Sequence, residues 1–465
     1  MTQLFYASTL FGAMTLAAGV DADRFGPREG RRILLVSNNA AIPEITPPLD
    51  ETPGFAALRP HFDELYSWNE IVAPLHPSDW KARVIEVPML SRLVGSHLSL
   101  GDGPAELILE SIAVPPARTL GGLVKDCPIS VYSDGLMSYG PTRDPLPLEI
   151  SGRITRLLHL DLVPGLTPLL LSEYGVPAEI IPDRAFLDVI GEVGGETGAA
   201  LPDRSGKTGE TLPDRTLRTG EAAGDALPGR TARTGEAPSG RAMILGQYLS
   251  ALDLVTPEEE ARLHDDMLRG LAARGFRGVL FKPHPAAGRG HARRLRETAA
   301  ELGVELEVVA ETVPAESCFA DLRPELVVGC FSTALITASR YFGLPVATVG
   351  GELVLERLTP YENSNRIPAT VTDALLPRLS ADGSLEEPPP VDLPALVGAV
   401  GYCMQAEVYP ELRESAAAYL EAHGPARYFK RQRLGALDLI APRTTAARER
   451  STLGRLRDRL SKAFP

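Results

Sequence analysis

Short apolar runs, each closed by a polar loop and followed by a helix-like pattern, recur along this chain and restrict what it can fold into. Ile33-Leu34-Leu35-Val36, the run at 129–132, Ala242–Leu245, Gly278–Lys282 and Leu326–Gly329 all read as strands. A strand covered on both faces must be apolar almost throughout. Alternation of such strands with helix patterns predicts parallel sheets with helices on both faces. At 465 residues the chain exceeds what one core sustains, so two α/β domains are expected.

In the first part, Thr2–Ala7 reads as a strand and 8–18 as the helix after it. This accounts for the apolar N-terminus better than a secretory leader does, since no Lys or Arg precedes Asp21. Residues 32–37 give a second strand, 60–72 a helix, 83–87 a third strand, 105–112 a helix and 129–132 a strand. In the second part, 256–273 reads as a helix with Thr256 as its cap, Pro257 at its first position and three glutamates in its first turn. Helices at 289–302 and 334–342 alternate with strands at 305–309, 326–329 and 345–348. Residues 382–390 read as a surface loop, and helices at 393–405 and 412–423 can pack back across the domain junction.

Between about 191 and 240 the composition changes. Leu-Pro-Asp-Arg occurs at 201–204 and 212–215, Leu-Pro-Gly-Arg at 227–230, and Thr-Gly-Glu three times. The spacing is too short for a solenoid, and the segment has too few large apolar residues to offset its ordering entropy, so disorder is expected. The expected organisation is a first domain over 1–185, a disordered linker or insertion over 186–241, a second domain over 242–440 and a tail over 441–465. The net charge of −13 argues against a general nucleic-acid binder. Cys127, Cys318, Cys330 and Cys403 form no CxxC or zinc pattern, which suits free thiols in a reducing, cytoplasmic setting. No run of 18 apolar residues offers a membrane-spanning helix.

Ligands of open parallel sheets bind beyond the carboxyl ends of the strands, and three polar clusters sit there. Ser133-Asp134-Gly135 follows the strand at 129–132. Asp134 can serve as a general base, and Gly135 lets backbone or ligand approach, although Asp-Gly is also a common turn. Lys282-Pro283-His284-Pro285 clamps an imidazole between two prolines at a strand end. Such an imidazole can donate to a phosphate or protonate a leaving group; it can equally be an exposed turn histidine. Ser332-Thr333 opens a helix after an apolar strand. Its free N–H groups and dipole suit a phosphate, or the pair is an ordinary cap. The GxGxxG, GxxxxGK[ST] and GxSxG patterns are absent, which weakens dinucleotide, ATPase and hydrolase readings.

These three clusters, in this order, resemble the acidic-acidic-Gly, His-Pro and Ser-Ser/Thr motifs of bacterial sialyltransferases. The wider text from Asp134 to Pro141 and from Phe281 to Pro285 looks like the bacterial polysialyltransferase-type family. The resemblance implies a GT-B fold: two Rossmann-like, doubly wound parallel-sheet domains facing a cleft. It implies a CMP-sialic acid donor held by the second domain, a glycan acceptor, inversion, and neither metal nor other cofactor. Asp134 is then the base and His284 assists the departing CMP. Ser332 and Thr333 bind its phosphate, with Pro285, Lys282 and Gly135 around them. The first acidic position is Ser133 here, so Asp134 must supply the carboxylate alone. Further contacts fall to Ser133, Tyr139, Arg143 and Gln247, with Lys282 and Arg143 able to meet an anionic substrate; each also has a structural reading. Two other readings stand beside this one. One is a transferase or epimerase using a UDP- or GDP-sugar; the other is a non-catalytic glycan- or nucleotide-binding member.

The tail from 442 to 465 carries seven Lys/Arg against two acidic residues, with Leu453, Leu456, Leu460 and Phe464 at helical spacing. A basic amphipathic helix of this kind can lie peripherally on an anionic membrane, or pack on its own domain.

Overall fold

The computed structural model describes residues 1–28, 30–133, 135–197, 240–284 and 291–440. It contains two seven-stranded sheets. The first comprises β1 (Thr2–Ala7), β2 (Arg31–Val36), β3 (Glu64–Ser67), β4 (Glu106–Glu110), β5 (Ile129–Ser133), β6 (Ile154–Leu160) and β7 (Ala178–Ile181). Their order is β3-β2-β1-β4-β5-β6-β7, all parallel. The second comprises β8 (Ala242–Leu245), β9 (Gly278–Lys282), β10 (Glu305–Val308), β11 (Leu326–Gly329), β12 (Val346–Thr348), β13 (Arg378–Leu379) and β14 (Leu385–Glu386). Its order, β10-β9-β8-β11-β12-β13-β14, repeats the topology of the first, except that β14 runs antiparallel. Each sheet therefore reverses direction beside its own first strand, at β1/β4 and at β8/β11. A doubly wound sheet opens its crevice at that reversal.

Nine helices carry the argument. They are α1 (Leu10–Asp21), α2 (Val87–His97), α3 (Asp183–Thr197), α4 (Pro257–Ala273), α5 (His291–Leu302), α6 (Ala315–Leu322), α7 (Thr333–Phe342), α8 (Leu393–Met404) and α9 (Arg413–His423). The α4 start is a full capping box. The Thr256 hydroxyl accepts from the Glu259 N–H at 3.1 Å, and the Glu259 carboxylate accepts from the Thr256 N–H at 2.9 Å. Such a cap contributes about 1 kcal/mol.

Apolar side chains on the outer face of the first sheet, among them Leu4, Ile33, Trp68 and Leu109, form one core. A larger core runs from its inner face through α1 and α3 into both faces of the second sheet. Helix α3 packs on α6, so apolar contact is continuous between the halves. Polar bonds cross as well. Tyr409 Oη donates toward the Leu169 carbonyl at 2.9 Å and the Glu173 carboxylate at 2.8 Å, and Gln405 Nε2 donates to the Arg143 carbonyl. The residues after α8 do cross the junction. All four cysteines are buried and free. No helix among the described residues is long and apolar enough to cross a membrane.

Five sequence expectations need correction. Residues 382–390 are not all loop: β14 lies inside them, paired with β13. Residues 60–72 are not one helix: β3 lies inside them, followed by a short helix at Trp68–Val72. Pairing with β2 at the sheet edge overrides the helical pattern there. Residues 83–87 are not a strand. Val84 and Ile85 are 90% and 87% exposed, and Pro88 starts α2 at a position that suits proline. Residues 105–112 are strand β4, because β1 and β5 flank it on both sides. Helix α3 runs through 186–197, so those residues are helical and the expected disorder does not extend to them. The repeats between 198 and 239 and the tail from 441 lie outside the described residues.

Candidate active site

The carboxyl ends of both sheets open on one cavity of about 570 Å3. Gly135 reaches it from the first half, and Lys282, Pro283, His284, Ser332 and Thr333 from the second. The arrangement of two doubly wound sheets with a shared cleft is the GT-B architecture expected from the motifs.

Strand β8 ends at Leu245, and Gly246 follows. A Cβ there would stand 3.0 Å from the Phe281 ring, so glycine lets β8 lie close to the end of β9 without displacing that ring. Tyr248 then stacks on His284, ring centroids 4.0 Å apart and tilted by 37°. The loop carrying Tyr248 is tied down from α4. The fully buried Glu260 carboxylate accepts from the Leu249 N–H at 2.8 Å and the Ser250 N–H at 3.1 Å.

At the end of β9, Lys282 turns inward. Its ammonium donates to the Pro283 carbonyl at 2.7 Å and to the Glu311 carbonyl at 3.0 Å. Burial lowers its pKa to about 8, with the nearby Cys318, Glu316 and Glu311 opposing that fall. His284 is pushed down to about 4, first by burial and then by the Lys282 charge. Its imidazole is therefore neutral at neutral pH. A neutral ring has one N–H to donate.

Helix α7 begins at the same place. Ser332 caps it, its hydroxyl accepting from the Ala334 N–H at 3.2 Å. The first N–H groups of such a helix and its dipole favour an anion. The Thr333 hydroxyl accepts from the Leu136 N–H at 3.4 Å across the cleft. Gly135 lies against it: a Cβ at 135 would sit 3.1 Å from Thr333 Oγ1. Position 135 has extended backbone, so close approach rather than backbone freedom favours glycine there.

Other expected site residues lie apart from the cavity lining. Tyr139 is fully buried, its hydroxyl accepting from the Val163 N–H at 3.0 Å. Arg143 is exposed and offers its carbonyl to Gln405. The Gln247 amide oxygen accepts from the Phe331 N–H at 3.2 Å, bracing the segment before Ser332. Ser133 ends β5 opposite His159. Asp134 and Pro285 lie outside the described residues.

The structure adds residues that sequence reasoning missed. Ser8, Ser37 and Asn39 line the first half's side of the cavity, and Glu316 lines the second half's side. Glu110, at the end of β4, accepts from both the N–H and the hydroxyl of Ser8 and from the Tyr132 hydroxyl at 2.8 Å. A signal for Ser8 was present: Ser8-Thr9 follows β1 and opens α1, as Ser332-Thr333 opens α7. Among the described residues, no group of three or more His, Cys, Asp or Glu could hold a metal ion.

The chain is similar to the GT-B domain of a Photobacterium damselae sialyltransferase, at 13% identity and a TM-score of 0.37, covering 80% of this chain and 96% of that one. It is similar to the 2,6-sialyltransferase of Photobacterium sp. JT-ISH-224, solved with the donor product CMP and the acceptor lactose. There the identity is 11%, the TM-score 0.37, and the coverage 80% of this chain and 75% of that one. It is also similar to the E. coli heptosyltransferase WaaC, at 15% identity and a TM-score of 0.31, covering 75% and 88%. No curated protein sequence matches it. A family model, alpha-2,8-polysialyltransferase (POLYST), matches residues 3–350. With the match covering the first sheet, the second as far as β12 and all three motif clusters, the chain belongs to the alpha-2,8-polysialyltransferase family and is a glycosyltransferase.

Proposed function

We propose that this enzyme transfers sialic acid, or a related nonulosonic acid, from a CMP-activated donor to a hydroxyl of a glycan acceptor, with inversion and without a metal. The observation that carries this reading is the meeting of His284, Ser332 and Thr333 with Gly135 in one cavity. In this reading the second half holds the donor and the first half the acceptor.

The Asp134 carboxylate takes the proton of the acceptor hydroxyl as that oxygen attacks the anomeric carbon. The bond from that carbon to the CMP phosphate breaks on the opposite face, and its electrons leave with the phosphate. CMP departs as a stable anion, so it needs hydrogen bonds rather than a full proton. The first N–H groups of α7, the Ser332 and Thr333 hydroxyls and the neutral His284 N–H are suited to provide them. Support for Asp134 comes from its neighbour Gly135, which lines the cavity.

The test is transfer by purified protein supplied with CMP-sialic acid and a chelator, beside Asp134→Ala and His284→Ala. Each substitution should lower transfer by about a hundredfold or more, the range for a lost general base or leaving-group donor. Circular dichroism should remain unchanged. Binding of CMP, UDP and GDP by calorimetry should favour CMP. A preference for UDP or GDP would overturn the donor, and near-normal transfer by either variant would overturn that residue's role.

A further inference from the structure

Helix α2 is apolar on two opposite sides, and the protein covers one of them. Val94 and Leu98 are buried, and Val87 and Leu90 pack with them into the outer core of the first sheet. These positions share one side of a helix of about 3.6 residues per turn. The turn that leads in is already helical, with the Val87 N–H donating to the Arg83 carbonyl at 3.2 Å. Ile85, Met89 and Leu93 therefore follow one another at intervals of four along the other side. They are 87%, 50% and 58% exposed, and Val84 beside Ile85 is 90% exposed. A surface helix ordinarily turns polar groups outward there, and a contiguous apolar ridge marks a contact surface.

Charge frames the ridge. Lys81, Arg83 and Arg92 are exposed around it. From 81 to 97 they stand against one carboxylate, Glu86, which is itself bonded to Arg83. The chain as a whole carries −13. An acidic protein thus sets its bare apolar ridge in a local excess of positive charge, and that selects the occupant. A second copy of the chain would bring these cations against their own counterparts in a two-fold contact. The tail, with seven Lys/Arg against two acidic residues over 442–465, would also meet them with like charge. An anionic lipid surface satisfies both features at once: the apolar side chains enter the acyl boundary while Lys and Arg stay among the headgroups. The position permits it. The core under α2 is built from the first half alone, and no residue of α2 is among the described residues that line the cavity.

We propose that the Ile85–Met89–Leu93 ridge, with Lys81, Arg83 and Arg92 around it, is a membrane-docking surface that lies on an anionic lipid bilayer without crossing it. The proposal stands apart from the donor and acceptor assigned above.

The experiment is flotation of the full chain with vesicles of phosphatidylcholine alone and of phosphatidylcholine mixed with phosphatidylglycerol. The wild type should float with the mixed vesicles and bind pure phosphatidylcholine at least about fivefold more weakly, the worth of one cation at the surface. Met89→Gln/Leu93→Gln should weaken binding to the mixed vesicles by about tenfold or more, the worth of one large apolar side chain withdrawn from the acyl region. Lys81→Glu/Arg92→Glu should weaken it by a similar factor. All four side chains are exposed, so the thermal midpoint should be unchanged in both variants. A wild type that floats with neither vesicle overturns the proposal. So does flotation that Met89→Gln/Leu93→Gln leaves intact, which assigns the contact to another segment. Equal binding to the two vesicle types, or indifference to Lys81→Glu/Arg92→Glu, removes the anionic lipid. A dimer in sedimentation velocity that Met89→Gln/Leu93→Gln dissociates gives the ridge to a second copy instead.

Discussion

Between pH 6.5 and about 4 the unfolded chain takes up a proton at His284 that the folded chain refuses. The folded pKa lies below the unfolded one, so the neutral form's contribution is complete above pH 6.5 and is lost as pH falls toward 4. Each pKa unit is worth about 1.4 kcal/mol, so acidification over that window should cost about 3 kcal/mol through this residue. Urea unfolding of the wild type and His284→Gln at several pH values isolates the effect: the variant should lose less stability over the same interval. His284, Lys282 and the Ser332-Thr333 pair were legible in the sequence because each follows an unmistakable apolar strand. Glu110 was not. Leu107, Ile108 and Ile112 fit a helical period, and only the flanking strands β1 and β5 reveal β4.

At the scale of elements, the contact between Gly135 and α7 is a matter of space. Gly135→Ala would place a methyl 3.1 Å from Thr333 Oγ1, and the Thr333 side chain or the loop must give by a few tenths of an ångström. Transfer and thermal midpoint should both fall. Removing the obstacle with Thr333→Ala should recover much of the midpoint, giving a coupling of about 0.5–3 kcal/mol in a double-mutant cycle. Additive losses would show that the two positions do not press on one another. The second-half strands β8, β9, β11 and β12 lie where the sequence placed them, because they are short, apolar and bounded by Pro or Gly; β13 and β14 escaped it, being two residues each. The first half deceived at the central strand β4 and again at the edge strand β3. β3 is half-buried along its length and lacks the apolar signature that marked β8 or β11.

The two halves of the molecule are joined by more than chain connection. Arg340 near the end of α7 pairs with Asp183 at the start of α3 at 2.7 Å, and the Tyr341 hydroxyl lies 3.3 Å from the same carboxylate. Burial pushes the Asp183 carboxyl up, and Arg340 opposes that shift. Arg340→Ala strands a half-buried carboxylate. After allowance for its partial exposure, the expected cost is about 1–2 kcal/mol, seen as a lower denaturant midpoint. A midpoint unchanged from wild type would mean that the pair contributes nothing. The sequence announced two domains through its length and its strand–helix alternation. It could not announce this pair, because residues 183 and 340 meet only when the halves do. Helix α7 thus touches the first half near both its ends, at Leu136 through Thr333 and at Asp183 through Arg340. A ten-residue helix is a rod about 15 Å long. Pinned twice to the same body, it cannot swing about either pin alone. Any separation of the two halves around α7 must therefore break both contacts, at Thr333 and at Arg340.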